Sequence, residues 1–127
     1  MFETKALSFE PDVTAPDGSE VRILLSLAGG SMAHFELAAG KISIAVAHHS
    51  VEEIWYILEG WGEMWRRRGL QEEIVELYPG ICITIPAGTC FQFRSFGPGS
   101  LAAVAVTMPP WPGDAEAYRV QGRWMVE

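Results

Sequence analysis

Apolar and polar residues alternate along most of this chain in short runs, and nearly every run stops at glycine or proline. Val21 to Leu27 (VRILLSL) reads as a first strand, entered through Ala15-Pro16-Asp17-Gly18, where proline and Asp-Gly prepare a chain reversal. Gly29-Gly30 breaks it, Met32 to Leu37 follows, and Ala39-Gly40 leads into Lys41 to Ala47. Glu53 to Leu58 (EIWYIL) closes at Gly60-Trp61-Gly62. Glu63 to Arg67 and Glu73 to Leu77 then flank a hairpin at Arg68-Gly69. Ile81 to Ile85, Cys90 to Arg94 and Leu101 to Thr107 complete the series. Many short strands at regular spacing, with no long amphipathic helix, predict an all-β sandwich or barrel. The tail breaks the rule: three prolines in Met108-Pro109-Pro110-Trp111-Pro112 remove the donors that a central strand needs. It is expected to cross the surface extended and pin Trp111 in a groove, with a helical turn over Asp114 to Ala117 and an edge strand from Tyr118 to Val126.

Alternation also assigns faces, because residues two apart in a strand point the same way. Glu53, Trp55 and Ile57 share one face, with Tyr56 and Leu58 on the other, and Cys90, Gln92 and Arg94 share a face of their own strand. Met32, His34 and Glu36 alternate with Ala33, Phe35 and Leu37, which sends His34 toward solvent. Glu53 to Leu58 and Leu101 to Val106 are apolar on both faces, whereas a single barrel covers only one. The surplus predicts a homodimer.

Composition narrows the partners. With 127 residues the chain is one domain long (1–127), with a core over about 21–107 and a Pro-rich strap and edge strand over 108–127. Apolar residues make up 49% of it, which excludes a disordered chain. A net charge of −7 argues against nucleic acid or an anionic membrane surface as partner. Arg66-Arg67-Arg68, the one basic cluster, sits at the hairpin tip. The first residues lack the pattern of a secretory leader, and no run is long enough for a membrane helix. Cys82 and Cys90 lack Cys-x-x-Cys spacing, so a cytoplasmic protein with reduced thiols is expected.

The chemistry concentrates in Ala47 to Gly62, AHHSVEEIWYILEGWG, where imidazoles and carboxylates precede an apolar run and a Gly-x-Gly turn. A loop and the strand after it can bring imidazole and carboxylate to one point, as nitrogen/oxygen metal sites require. Gly40-x5-Val46-x-His48-x4-Glu53-x6-Gly60 resembles the first motif of the cupin superfamily, in which histidine occupies the position of Val46. A shorter spacing would put His49 in place of His48, and the distance from Gly40 favours His48. Gly80-x5-Pro86-x-Gly88 resembles the second motif, with Phe91 at the histidine position and Ser95 at the asparagine position.

The resemblance implies a double-stranded β-helix, or jelly-roll, barrel. It also implies a small-molecule ligand or substrate and one divalent transition metal (zinc, iron, manganese or nickel) at the barrel mouth. His48 and Glu53 are then the first ligands and the candidate catalytic pair, with His49 and Cys90 as further candidate donors. Cys90 or Gln92 would stand in for the missing histidine, while Trp55, Phe91 and Phe93 would wall the cavity. Dioxygenases, isomerases and decarboxylases use such sites. The competing expectation is a metal-free module for a sugar, an aromatic or a small carboxylate effector, favoured by Val46 and Phe91 at two ligand positions. Fold alone does not choose between them.

Overall fold

The computed structural model describes residues 2–126 and contains eleven strands. They are β1 (Val13–Thr14), β2 (Glu20–Leu27), β3 (Gly30–Leu37), β4 (Val46–His48), β5 (Glu52–Glu59) and β6 (Gly62–Arg68). β7 (Gln71–Leu77), β8 (Cys82–Ile85), β9 (Cys90–Ser95), β10 (Leu101–Met108) and β11 (Ala117–Arg119) follow, with one 3₁₀ turn at Asp114–Glu116. One sheet has the order β1-β2-β3-β10-β5-β8 and the other β11-β4-β9-β6-β7, with antiparallel pairing throughout. This is the expected double-stranded β-helix.

The inner faces meet as the alternation predicts. Trp55 and Ile57 of β5 and Ile83 of β8 pack against Met64 of β6 and Phe91 and Phe93 of β9. Tyr56 and Leu58 point outward and are 48% and 43% exposed. The chain crosses from one sheet to the other at Gly60-Trp61-Gly62. Gly60 has φ +91°, and a Cβ on Gly62 would lie 2.0 Å from the Arg94 carbonyl oxygen, so both glycines are required by geometry. The hairpin between β6 and β7 pairs Arg68 with Gln71 across Gly69-Leu70, as the sequence indicated.

Two expected strands are shorter than the pattern suggested. Lys41 to Ala47 contracts to Val46–His48 plus a lone bridge between Ile42 and Arg94. The Ile44 amide donates instead to the Asp17 carbonyl at 2.7 Å, which draws the segment toward the turn before β2. The edge strand expected over Tyr118 to Val126 is limited to Ala117–Arg119, paired with β4. Beyond it the Arg123 and Trp124 amides donate to the Gln92 Oε1, each at 2.9 Å, so a side chain replaces the ladder. β1 was not anticipated, because two residues carry no periodicity.

His34 is a partial departure. It faces away from the inner layer as expected, yet is 5% exposed, because the segment around Leu7 to Pro11 lies over that face. Arg22 holds this segment by donating to the Ser8 and Phe9 carbonyls at 2.9 and 2.7 Å.

Candidate functional site

A cavity of about 240 Å³ lies between the sheets at the end where β4 and β5 meet. In β4, Val46 and His48 turn to the inner face. β5 places Glu53 and then Trp55 inward, opposite Thr107 and Ala105 of β10. The intervening turn is held by a residue far away in sequence. The Glu116 carboxylate accepts from the Ser50 and Val51 amides at 2.8 Å each and from the Ser50 hydroxyl. Against the cost of its own burial, these donors hold Glu116 below the usual carboxylate range.

His48 and Glu53 are 5% and 3% exposed. The Trp55 indole N–H donates to the Glu53 Oε1 at 2.6 Å, which fixes the carboxyl. Glu53 Oε2 stands 3.9 Å from His48 Nδ1, too far for a hydrogen bond, and Nδ1 has no partner among the described residues. Burial pushes His48 down to about 4, against the pull of the Glu116 carboxylate. Burial also pushes Glu53 up to about 7; the Trp55 hydrogen bond opposes this rise and the Asp17 carboxylate reinforces it. Between those values both groups are neutral. The pair can donate and accept hydrogen bonds, and Glu53 can exchange a proton near neutral pH.

The walls are aromatic. Phe35 stacks on Trp55 at 5.4 Å and 6°, and Phe91 meets His48 edge-on at 5.3 Å. Trp111, from the strap, meets His48 at 5.0 Å on another side, and its amide is held by the Ser31 hydroxyl at 3.0 Å. The Pro-flanked tryptophan is therefore packed, as its sequence context suggested. Phe35 was legible as the large member of the Ala33/Phe35/Leu37 face. Asp17 and Glu116 gave no local signal.

The structure brings His48, Glu53, Trp55 and Phe91 to one cavity and leaves the other candidates elsewhere. His49 is exposed and lies against Tyr118 at 4.4 Å, so the spacing from Gly40 identified the inward histidine. Phe93 packs on Trp55 at 5.0 Å, in the core beneath the cavity. Cys90 and Gln92 flank Phe91 and so emerge on the opposite face of β9. Cys90 Sγ sits 3.8 Å from an Arg67 nitrogen. Gln92 donates to the Ser43 and Trp124 carbonyls at 2.9 and 2.8 Å and accepts the two tail amides, which leaves nothing free for a ligand.

Residues 33–107, more than half of the chain, match the Cupin_2 family, described as a cupin domain. The chain is a cupin. Over 120 residues it is 32% identical to an uncharacterized protein of Methanocaldococcus jannaschii, MJ1618, covering 87% of this chain and 93% of that one. Its fold matches a conserved double-stranded β-helix protein of Klebsiella pneumoniae, also uncharacterized, with TM-score 0.70 and 16% identity. That match covers 94% of this cupin and 100% of the Klebsiella chain. It also matches a point variant of Streptomyces PAC13 with uridine, with TM-score 0.72 and 15% identity over 95% and 93% of the two chains.

Cupins commonly hold a divalent metal, and the donor set here does not fit one. Val46 and Phe91, at two of the positions where the superfamily motifs carry histidine, are direct cross-strand partners and are each 2% exposed. Two imidazoles are replaced by one apolar contact. Among the described residues no group of three or more His, Cys, Asp or Glu side chains is arranged to hold a metal ion. The remaining pair offers one nitrogen and one carboxyl, short of the three protein ligands that a catalytic zinc site uses.

Proposed function

We propose that this cupin is a small-molecule-binding protein that works without a metal, its cavity recognising a compact ligand through aromatic walls and the neutral His48–Glu53 pair. The observation that carries this reading is the cross-strand pair Val46 and Phe91 standing where two ligands would be, beside a cavity of about 240 Å³. Pockets for drug-sized molecules occupy roughly 300–1,000 Å³, so the ligand is smaller, of one or two rings. The uridine in the Streptomyces PAC13 structure is a ligand of that scale held by the same fold. Ligand-observed NMR with toluene tests the reading. Wild type is expected to bind it, whereas an Ala33→Phe variant that fills the cavity, still folded by its melting curve, is expected not to. Equal signals from both proteins would place toluene elsewhere and refute it.

We also infer a homodimer in a cytoplasmic setting, with no nucleic-acid partner. Ile54, Tyr56 and Leu58 on the outer face of β5 are 41%, 48% and 43% exposed, with Val104 and Val106 of β10 beside them. A second copy related by twofold symmetry would cover this strip with an identical one. Light scattering at micromolar concentration is expected to give twice the chain mass of 14.0 kDa, and Tyr56→Glu to return it to monomer. A wild-type monomer would refute the dimer and leave the cavity reading untouched.

A further inference from the structure

The cavity also carries a charge signature, which says what kind of ligand it accepts. Among the described residues its walls include the acids Asp17, Glu53 and Asp114 and contain no lysine or arginine. Asp17 is 6% exposed, and its Oδ1 is occupied by the Ser19 amide and hydroxyl at 2.9 and 2.6 Å. Sites for carboxylates or phosphates supply guanidinium or ammonium groups, or the amides at the start of a helix. The one helical element near this cavity is the three-residue turn Asp114–Glu116, itself acidic. An anion entering here would lose its hydration and meet no cationic side chain in return.

The polar corner is built for one neutral oxygen. His48 Nδ1 is buried without a partner, and Glu53 Oε2 lies 3.9 Å away. A ligand oxygen that moved in between them would satisfy both atoms at normal hydrogen-bond length. The rest of the ligand would then lie among Phe35, Trp55, Phe91 and Trp111, where a ring gains contact with aromatic faces and edges. An apolar cavity of about 150 Å³ suffices for benzene, so this one has room for a ring and a small substituent.

We infer that the cavity selects compact, neutral ring compounds bearing a carbonyl or hydroxyl group, such as amides, lactams or phenols, and excludes carboxylate and phosphate ligands. This rests on the reading of the cavity as a metal-free ligand site. Of the effector classes open at the level of sequence, the small carboxylate is thereby set aside.

Benzamide and benzoate test it, since they share size and shape and differ in charge; benzene measures the cavity alone. Dissociation constants would be taken by NMR titration at pH 6, for wild type and for His48→Ala. Benzamide is expected to bind wild type most tightly, with benzoate weaker by about tenfold or more. In His48→Ala the advantage of benzamide over benzene should shrink while benzene binding persists. Benzoate binding as tightly as benzamide would overturn the charge selection. Benzamide binding no better than benzene would overturn the polar corner. Either result, with benzene bound, leaves the cavity reading standing; failure of all three probes would remove that reading and this inference together.

Discussion

At the scale of single residues, the central feature is a buried imidazole and carboxyl that stand together without an extra charge. The two act on stability with opposite signs. His48, lowered from 6.5 to about 4, is neutral in the folded chain where the unfolded chain already takes up a proton, so its contribution grows as pH rises across that window. Glu53, raised from 4.5 to about 7, keeps its proton when folded, so its contribution is complete below 4.5 and is lost as pH rises toward 7. Each slope amounts to on the order of 3 kcal/mol across its window, and where the windows overlap they largely cancel. Glu53→Gln removes one slope and exposes the other. Its denaturation midpoint should therefore climb between pH 4.5 and 6.5 relative to wild type, as measured by urea unfolding at several pH values. Parallel profiles would show that the pair is not neutral. Gln92 is a second test at this scale, because three of its hydrogen bonds tie β9 to the tail and a fourth ties it to the Ser43 carbonyl. Gln92→Leu is expected to cost roughly 2–4 kcal/mol, since it strands buried backbone donors and acceptors. A loss near zero in the same unfolding assay would mean that the tail amides find water instead.

At the scale of elements, the strap does more than close the surface. Trp111 completes the wall beside His48, and Glu116 holds the turn that sets the distance between His48 and Glu53. Truncation after Thr107 is expected to lower stability by a few kcal/mol, the order of one buried aromatic side chain, and to abolish toluene binding. An unchanged midpoint would reduce the strap to a linker. Glu116→Ala should cost about 1–3 kcal/mol through the stranded Ser50 and Val51 amides, and weaken ligand binding because the turn loosens. The strands β2, β3 and β5 to β10 were legible in the sequence, since their alternation and their Gly/Pro ends are local signals. Lys41 to Ala47 and Tyr118 to Val126 were not, because Asp17 and Gln92 capture their backbone from far away in the chain. Cys90 and Gln92 differ: they looked like ligands from their neighbourhood to Phe91, although alternation already set them on another face. The pleat of β9 sends them to the opposite face.

At the scale of the whole molecule, the glycine and proline frame of the two motifs was enough to indicate the barrel, and the spacing from Gly40 was enough to choose His48 over His49. The cavity's roof was not legible, since it comes from the turn before β2 and from the strap, both outside the matched residues 33–107. The family segment thus supplies the barrel and the polar corner, while the flanks shape what can enter. Val46 and Phe91 are the decisive residues, since their apolar pairing occupies two positions where the superfamily motifs carry histidine. Zinc titration by calorimetry, after chelation, of wild type, His48→Ala/Glu53→Gln and Val46→His/Phe91→His tests their role most directly. Wild type is expected to bind zinc no more tightly than the variant lacking His48 and Glu53, and the variant with restored histidines to bind at least about tenfold more tightly than both. Stoichiometric zinc binding by wild type that is lost with His48 and Glu53 would contradict the metal-free reading.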